Sequence, residues 1–230
     1  MAERVPTPPA LHVCPRPTLD RPVDPAADLL ATMARRRTVK RLRPGPLSDA
    51  ALGRILEAVR LTPAAFNRPS WHLVIVRERQ AAFWEMVAGA IGDRLAGERR
   101  ERYLARVEGF RAGVVTAVIY EDLSARDALQ AAWGITADQA RSYAEQGLGM
   151  MQLALWLAVT AEGLATSLQH LEWLVEERTA VFLGLEAERY RLVAILPIGH
   201  ADETPPPTER PTLDDVISFD HVGRPPDSID

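Results

Sequence analysis

The chain has 230 residues, 47% of them hydrophobic, enough to bury a full core and to suit one large domain. Lys and Arg total 27 against 31 Asp and Glu, so no global charge draws the protein to nucleic acid or an anionic membrane, and any basic site is local. The single Cys14 excludes a disulfide framework, a CxxC redox pair and a cysteine zinc set, and it fits a reducing cytoplasm. No apolar run approaches the roughly 18 residues that span a bilayer, and the N-terminus lacks the apolar segment of a signal peptide.

Residues 1–25 carry seven prolines and are predicted to form an extended or disordered arm, because proline denies a segment both the helix and the sheet ladder. Pro25 suits a first helical position, and DLLATMARRR places Leu29, Leu30 and Met33 on one face of a short helix that delivers arginines at its end. A second helix follows from Ser48 as N-cap, with Leu52, Ile55, Leu56 and Val59 at helical spacing and Pro63 to end it. WHLVIVRE is rich in β-branched residues and reads as a buried strand. RQAAFWEMVAGAIGDRLAGERRERYLARV is predicted to be helical and grows highly charged after Gly97. VVTAVIYED reads as a strand, and a short helix runs from Ser124 to Trp133.

The next helix contains Leu148 to Val159, apolar almost all round apart from Gly149 and Gln152, so it must be covered on every side. Its own sheet or a second subunit would serve. A short strand LATSLQH, a helix around Trp173 to Leu183 and the strand RYRLVAILPIGH complete the core. The stretch after His200 is expected to be irregular, with a tail at 221–230.

Several chemistries lack their carriers. Gly147-Leu148-Gly149 lies inside a helix and has no third glycine at the dinucleotide spacing. There is no GxxxxGK[ST], GxSxG or HExxH motif. His170-x-Glu172 resembles half a deaminase motif, but one cysteine cannot build its partner. Asp214, Asp215 and His221 lie in a polar tail and read as solvated charge rather than a metal site. The arginines between Arg94 and Arg111 alternate with Glu98, Glu101 and Glu108, as on a solvated helix face. Of Trp84, Trp133, Trp156 and Trp173, one or two are candidates to line a site, and the rest to fill core or interface.

Three small polar clusters remain: RRRTVKR at 35–41, FNR at 66–68 and TERP at 208–211. Arg36, Arg37 and Thr38 with Lys40 suit a phosphate plus one further cation, or else they simply complement a helix dipole. Taken with EQGLGMMQLALWLAVTAEGLATSLQH and LVAILPIGHADETPPPTERPTLDDV, the stretch from RRRTVKR through AAFNRPSWHLVIV resembles the FMN-dependent nitroreductase family, with coverage from about Asp28 to Phe219. VIYED and SLQH, around Glu121 and Gln169, resemble the branch first known from fungal fatty-acid-repression proteins.

The resemblance implies an α+β fold with a central mixed, mostly antiparallel sheet flanked by helices, spanning residues 26–220. It also implies an obligate homodimer whose interface buries the 143–161 helix and whose FMN lies in a cleft formed by both chains. By the same resemblance, Arg36, Arg37, Thr38 and Arg210 would bind the FMN phosphate. Lys40 would stabilise the anionic reduced flavin near N1 and O2. Asn67 would bond the polar ring edge, to which an amide offers both donor and acceptor. Gln169 and His170 fall where the family presents backbone groups to N5 and O4, and His170 is either a proton donor or a hydrogen-bonded strand-end residue.

This chain departs from the family pattern at Ala64 and Pro69, where Ser and Gln are usual, and at Thr208, where many relatives carry lysine. The implied activity is a ping-pong oxidoreductase in which NAD(P)H reduces the flavin and a nitroaromatic, quinone or similar small-molecule acceptor reoxidises it. Two alternatives stand beside it: flavin-dependent turnover of a dedicated biosynthetic intermediate, and a non-catalytic flavin-binding or regulatory protein.

Overall fold

A computed structural model describes residues 25–218; the rest of the proline-rich arm with Cys14, and the tail with His221, lie outside the described residues. Helix α1 runs Pro25–Arg35 and α2 runs Asp49–Arg60, where the Ser48 hydroxyl accepts the Ala51 N–H as its N-cap and the helix stops before Pro63. Strand β2 (Trp71–Val76) is followed by α3 (Gln80–Arg94) and α4 (Gly97–Arg111). The sequence reads these two as one helical run. Leu95 and Ala96 instead turn extended and Gly97 takes a φ of 56°, which breaks the run and lets Leu95 pack on the core. Strand β3 (Val115–Asp122), α5 (Leu123–Trp133), α6 (Ala137–Ala161), β4 (Ala165–Thr166), α7 (Glu172–Leu183), β5 (Tyr190–Ala201) and a last turn, α8 (Leu213–Val216), follow. Thr136 and Gln139 form a capping box that starts α6.

The sheet order is β1-β5-β3-β2, where β1 is the two-residue strand Leu42–Arg43 and β4 also pairs with β5. Every ladder is antiparallel, and among the described residues the sole parallel pairing is the isolated bridge Thr38–Thr166, so the expected mixed sheet is antiparallel in its ladders. Side chains alternate across it. Val118 and Tyr120 of β3 pack with Phe83, Trp84 and Ile91 of α3 and Leu174 of α7. Val115, Ala117 and Ile119 face Ile55 of α2 and Leu148, Met151 and Leu155 of α6 on the other side. Met151 is therefore core.

Between Ile119 and Tyr120 the β3–β5 register shifts, leaving Val193 as an extra residue on β5. The bulge changes the parity of β5, so Arg191 sits opposite Glu121 while Ala194, Leu196 and Ile198 keep facing α6. Glu121 is fully buried, and its carboxylate accepts from Arg191 Nη2 at 2.6 Å and from Arg126 Nη1 on α5 at 3.4 Å. A buried carboxylate needs such partners, and here they tie the sheet to α5.

Asp122 caps α5. Its side chain accepts from Ser124 N at 3.0 Å, Ala125 N at 3.3 Å and the Arg189 guanidinium at 2.8 Å. The Arg189 hydrogen bond, joined by those of Ser124 and Ala125, pulls the carboxyl down to about 2 against desolvation that opposes it. A depressed folded-state pKa gives stability that is present above the ordinary carboxyl value and lost as pH falls through about 4 to about 2. Asp122→Asn is expected to cost about 2 kcal/mol at neutral pH. Denaturant titrations of the two proteins should converge near pH 2, and a gap that persists at that pH would show that ionisation of Asp122 is not the source.

Candidate functional site

A cleft of about 490 Å³ opens at the end of α1, lined by Arg36, Arg37, Thr38, Trp156, Pro205–Pro207, Thr208 and Arg210. The fold thus brings together the four residues expected to hold a phosphate, although Arg210 is more than 170 residues from Arg36 in sequence. Three contacts do this. Thr38 bridges to Thr166 of β4, with the Val39 N–H on the Thr166 carbonyl at 3.1 Å. Lys40 N–H and Arg41 N–H both donate to Glu203 Oε1, at 2.6 and 3.1 Å. Gly109 of α4 lies so close to the same segment that a methyl group there would come within 2.3 Å of the Lys40 carbonyl. Glu203 stands just past β5 and turns the chain into the triproline wall that carries Arg210 back to the cleft.

The electrostatics are those of an anion site. Burial lowers the Arg36 pKa, and the neighbouring positive charges of Arg210 and Arg37 lower it further. A bound dianion reverses both like-charge effects. Arg36 also lies over the Trp156 ring, 4.5 Å from its centroid, a cation–π contact. Arg37 donates to the carbonyls of Ala34 and Arg36, at 2.5 and 2.9 Å, so it also closes the end of α1. Arg210 and the Lys40 ammonium are exposed and have no partner among the described residues. The cleft and charge set fit a phosphate-sized anion.

The other expected site residues are placed as follows. Gln169 exchanges both backbone bonds with Ile195, at 2.9 Å each, and its side chain donates to Ser167 and to the Leu168 carbonyl, so its own N–H is spent inside the fold. His170 Nδ1 meets the carbonyl of the bulge residue Val193 at 3.2 Å, the strand-end role set against proton donation. Neither residue lines this cleft, nor does Asn67, which sits exposed in the short 3₁₀ turn Ala65–Asn67 after α2. Phe66 and Asn67 both have φ of 54°, an uncommon left-handed pair. Phe66 stacks on Trp133 of α5 with centroids 4.3 Å apart and meets Tyr143 of α6 edge-on.

Of the tryptophans, Trp84 is core, Trp156 lines the cleft and Trp173 lies under Arg99. Arg94 and Arg111 are engaged with Glu177, Glu85 and Glu108 on the helix surface. His72 meets Tyr190 at a 40° tilt, with ring centroids 4.9 Å apart. Gly147 is a packing residue: a methyl group there would reach Trp71 Cζ3 at 3.3 Å. Sequence reasoning missed Glu203, Trp156 as a partner of Arg36, and the triproline wall. The one available signal was an acidic residue directly after a strand and ahead of three prolines.

Among the described residues no helix is long and apolar enough to cross a membrane. A model described as the nitroreductase family matches residues 33–200. HBN1 of Saccharomyces cerevisiae, provisionally named a nitroreductase, is 30% identical over 149 residues, 63% of this chain and 74% of that protein. The nitroreductase CinD of Lactococcus lactis, solved with chloramphenicol, superposes with a TM-score of 0.73 at 26% identity over 83% of this chain and 98% of that one. A nitroreductase with bound FMN from Desulfitobacterium hafniense shares the fold, with a TM-score of 0.62 at 21% identity over 84% and 97% of the two chains.

Proposed function

The chain belongs to the nitroreductase family, and on that premise we propose that it is an FMN-dependent, NAD(P)H-consuming homodimeric reductase of nitroaromatics, quinones or similar electron-poor acceptors. One observation carries the cofactor assignment: Arg36, Arg37, Thr38 and Arg210 line a single cleft, where a bound anion would relieve the repulsion among the three guanidinium groups. FMN in several solved relatives of the same fold, and 4-nitrophenol and chloramphenicol in CinD complexes, support the reading. VIYED and SLQH support a place in the fungal fatty-acid-repression-like branch.

FMN would supply the redox chemistry when bound, taking a hydride equivalent from the nicotinamide and passing electrons to the acceptor. The chain's own work is binding and electrostatics. Arg36, Arg37 and Arg210 would hold the phosphate through charge-assisted bonds, Thr38 would add a hydroxyl, and Trp156 packs against the Arg36 guanidinium. Lys40, exposed and without an ion-pair partner among the described residues, would offer a cation to the ring. The His170 backbone, unlike that of Gln169, has an N–H left for a ligand.

Dimerisation follows from what one chain leaves uncovered. Leu61 after α2 and Met150 and Leu153 of α6 are exposed and line a groove of about 350 Å³, the exposed Leu29 of α1 lines a second groove of about the same size against Ala154 and Leu157 of α6, and Leu30 and Met33 of α1 are exposed as well. An apolar face of this kind is expected to be buried in a partner. The partner we propose is a second copy, because Met33 and Trp156, which border that face, also wall the phosphate cleft. Asn67 of the partner subunit would then complete the site.

Visible absorption with added FMN, followed anaerobically by NADPH and then NADH, tests the proposal. Perturbed flavin bands that bleach with either nicotinamide are expected. A folded protein that leaves the FMN spectrum unperturbed would remove the reductase reading and favour a non-catalytic role.

A further inference from the structure

We propose that Glu203 is a positioning residue of the anion cleft: its carboxylate clasps the Lys40–Arg41 backbone and so sets where the triproline arm presents Arg210; this rests on the FMN phosphate reading above. Glu203 does not line the cleft, yet it stands two residues before the wall residue Pro205. On charge alone a carboxylate is out of place there, because it repels the anion that Arg36, Arg37 and Arg210 attract. Its bonds explain its presence. Glu203 Oε1 accepts the Lys40 N–H at 2.6 Å and the Arg41 N–H at 3.1 Å, and Oε2 lies 3.6 Å from Arg41 Nε. Bonds from backbone N–H groups to a carboxylate are charge-assisted, which makes them shorter and stronger than neutral ones.

The clasp joins the two halves of the cleft. On one side, the segment that follows Arg36, Arg37 and Thr38 is pinned to β4 by the Val39 N–H on the Thr166 carbonyl at 3.1 Å. On the other, the Asp202 N–H bonds the Arg41 carbonyl at 2.9 Å and extends the pairing of Leu42 with Ala201, so that Glu203 is the last tie before the chain leaves the sheet. Thr204 and Pro205–Pro207 come next. Consecutive prolines have fixed φ and favour a stiff, extended backbone of about 3.1 Å per residue, so a shift at Glu203 is passed on to Thr208 and Arg210 rather than absorbed. Arg210 has no partner of its own among the described residues, and the anchor of the arm is what keeps its charge close to Arg36.

Flavin fluorescence titrations of the full-length chain with FMN and with riboflavin test the clasp by the sign of an effect. Removing a negative charge near an anion site should tighten anion binding, whereas loss of the clasp in Glu203→Ala is expected to weaken FMN binding by about tenfold and to leave riboflavin nearly unchanged. Glu203→Gln keeps an oxygen that accepts both N–H groups and should bind FMN within about threefold of wild type, or more tightly. In an Arg210→Ala background, Glu203→Ala should cost less than about twofold, because the clasp acts through Arg210. Amide hydrogen exchange reads the same contact without flavin: Glu203→Ala should exchange faster at Lys40 and Arg41 while Val39, held by Thr166, stays protected. Undiminished FMN binding by Glu203→Ala, a Gln variant as weak as Ala, full additivity with Arg210→Ala, or exchange that rises equally at Val39 would overturn the clasp. A wild-type preference for FMN over riboflavin that survives Glu203→Ala strikes the clasp alone. A wild-type protein that binds FMN no better than riboflavin strikes the phosphate reading, and the clasp with it.

Discussion

Arg210→Ala is expected to weaken FMN binding by roughly ten- to a hundredfold while leaving riboflavin binding nearly unchanged. The contrast follows from geometry: Arg210 enters the cleft beside Arg36 and Arg37 and has no other partner among the described residues, so its only polar role is toward an anion. Riboflavin lacks the phosphate and has nothing there to lose. A second consequence has the opposite sign. Arg210 is one of the charges that depress the Arg36 pKa, so its removal relieves repulsion in the cofactor-free protein. The variant should therefore melt no lower than wild type without FMN and should lose most of the thermal shift that FMN confers. Flavin fluorescence titrations with both ligands, beside apo and holo melts, read all three effects. Equal losses for FMN and riboflavin would move the phosphate elsewhere.

If the proposed dimer forms through α6, Leu153→Glu is expected to convert it to monomers and to lower FMN affinity with it. Leu153 lies exposed at the centre of the apolar α6 face, between Met150 and Leu157 along the groove. A two-fold interface places the substitution twice, and each unpaired carboxylate costs several kcal/mol to bury, so association should weaken by at least about a thousandfold. Sedimentation velocity across a concentration series measures this directly. Because Trp156 on the same helix walls the phosphate cleft, cofactor affinity should fall in step with dissociation. A Leu153→Glu protein that remains dimeric and retains FMN would place the interface on another surface and leave α6 without the role assigned to it.

Local chemistry accounts for what was legible in the sequence. Ser48 and Pro63 bracket α2, β-branched runs mark β2 and β3, and the apolar rows of α6 announce a helix that needs cover, because each signal lies within a few turns or strand residues of its effect. Arg36, Arg37 and Thr38 were visible as a cluster for the same reason. Other features depend on partners distant in sequence. The break at Leu95 and Ala96 occurs without proline because Leu95 gains a place in the core. The Val193 bulge has no local mark and exists because Glu121 and Arg191 must share a face. Tertiary structure alone decided that Glu203 would hold the Lys40 segment, that three prolines would carry Arg210 to Arg36, and that Trp156 would lie beneath Arg36. The sequence determined which elements form and which charges are available, since propensity and periodicity act between near neighbours. Convergence of those charges into one anion site depended on chain closure over more than 170 residues, which no local pattern encodes.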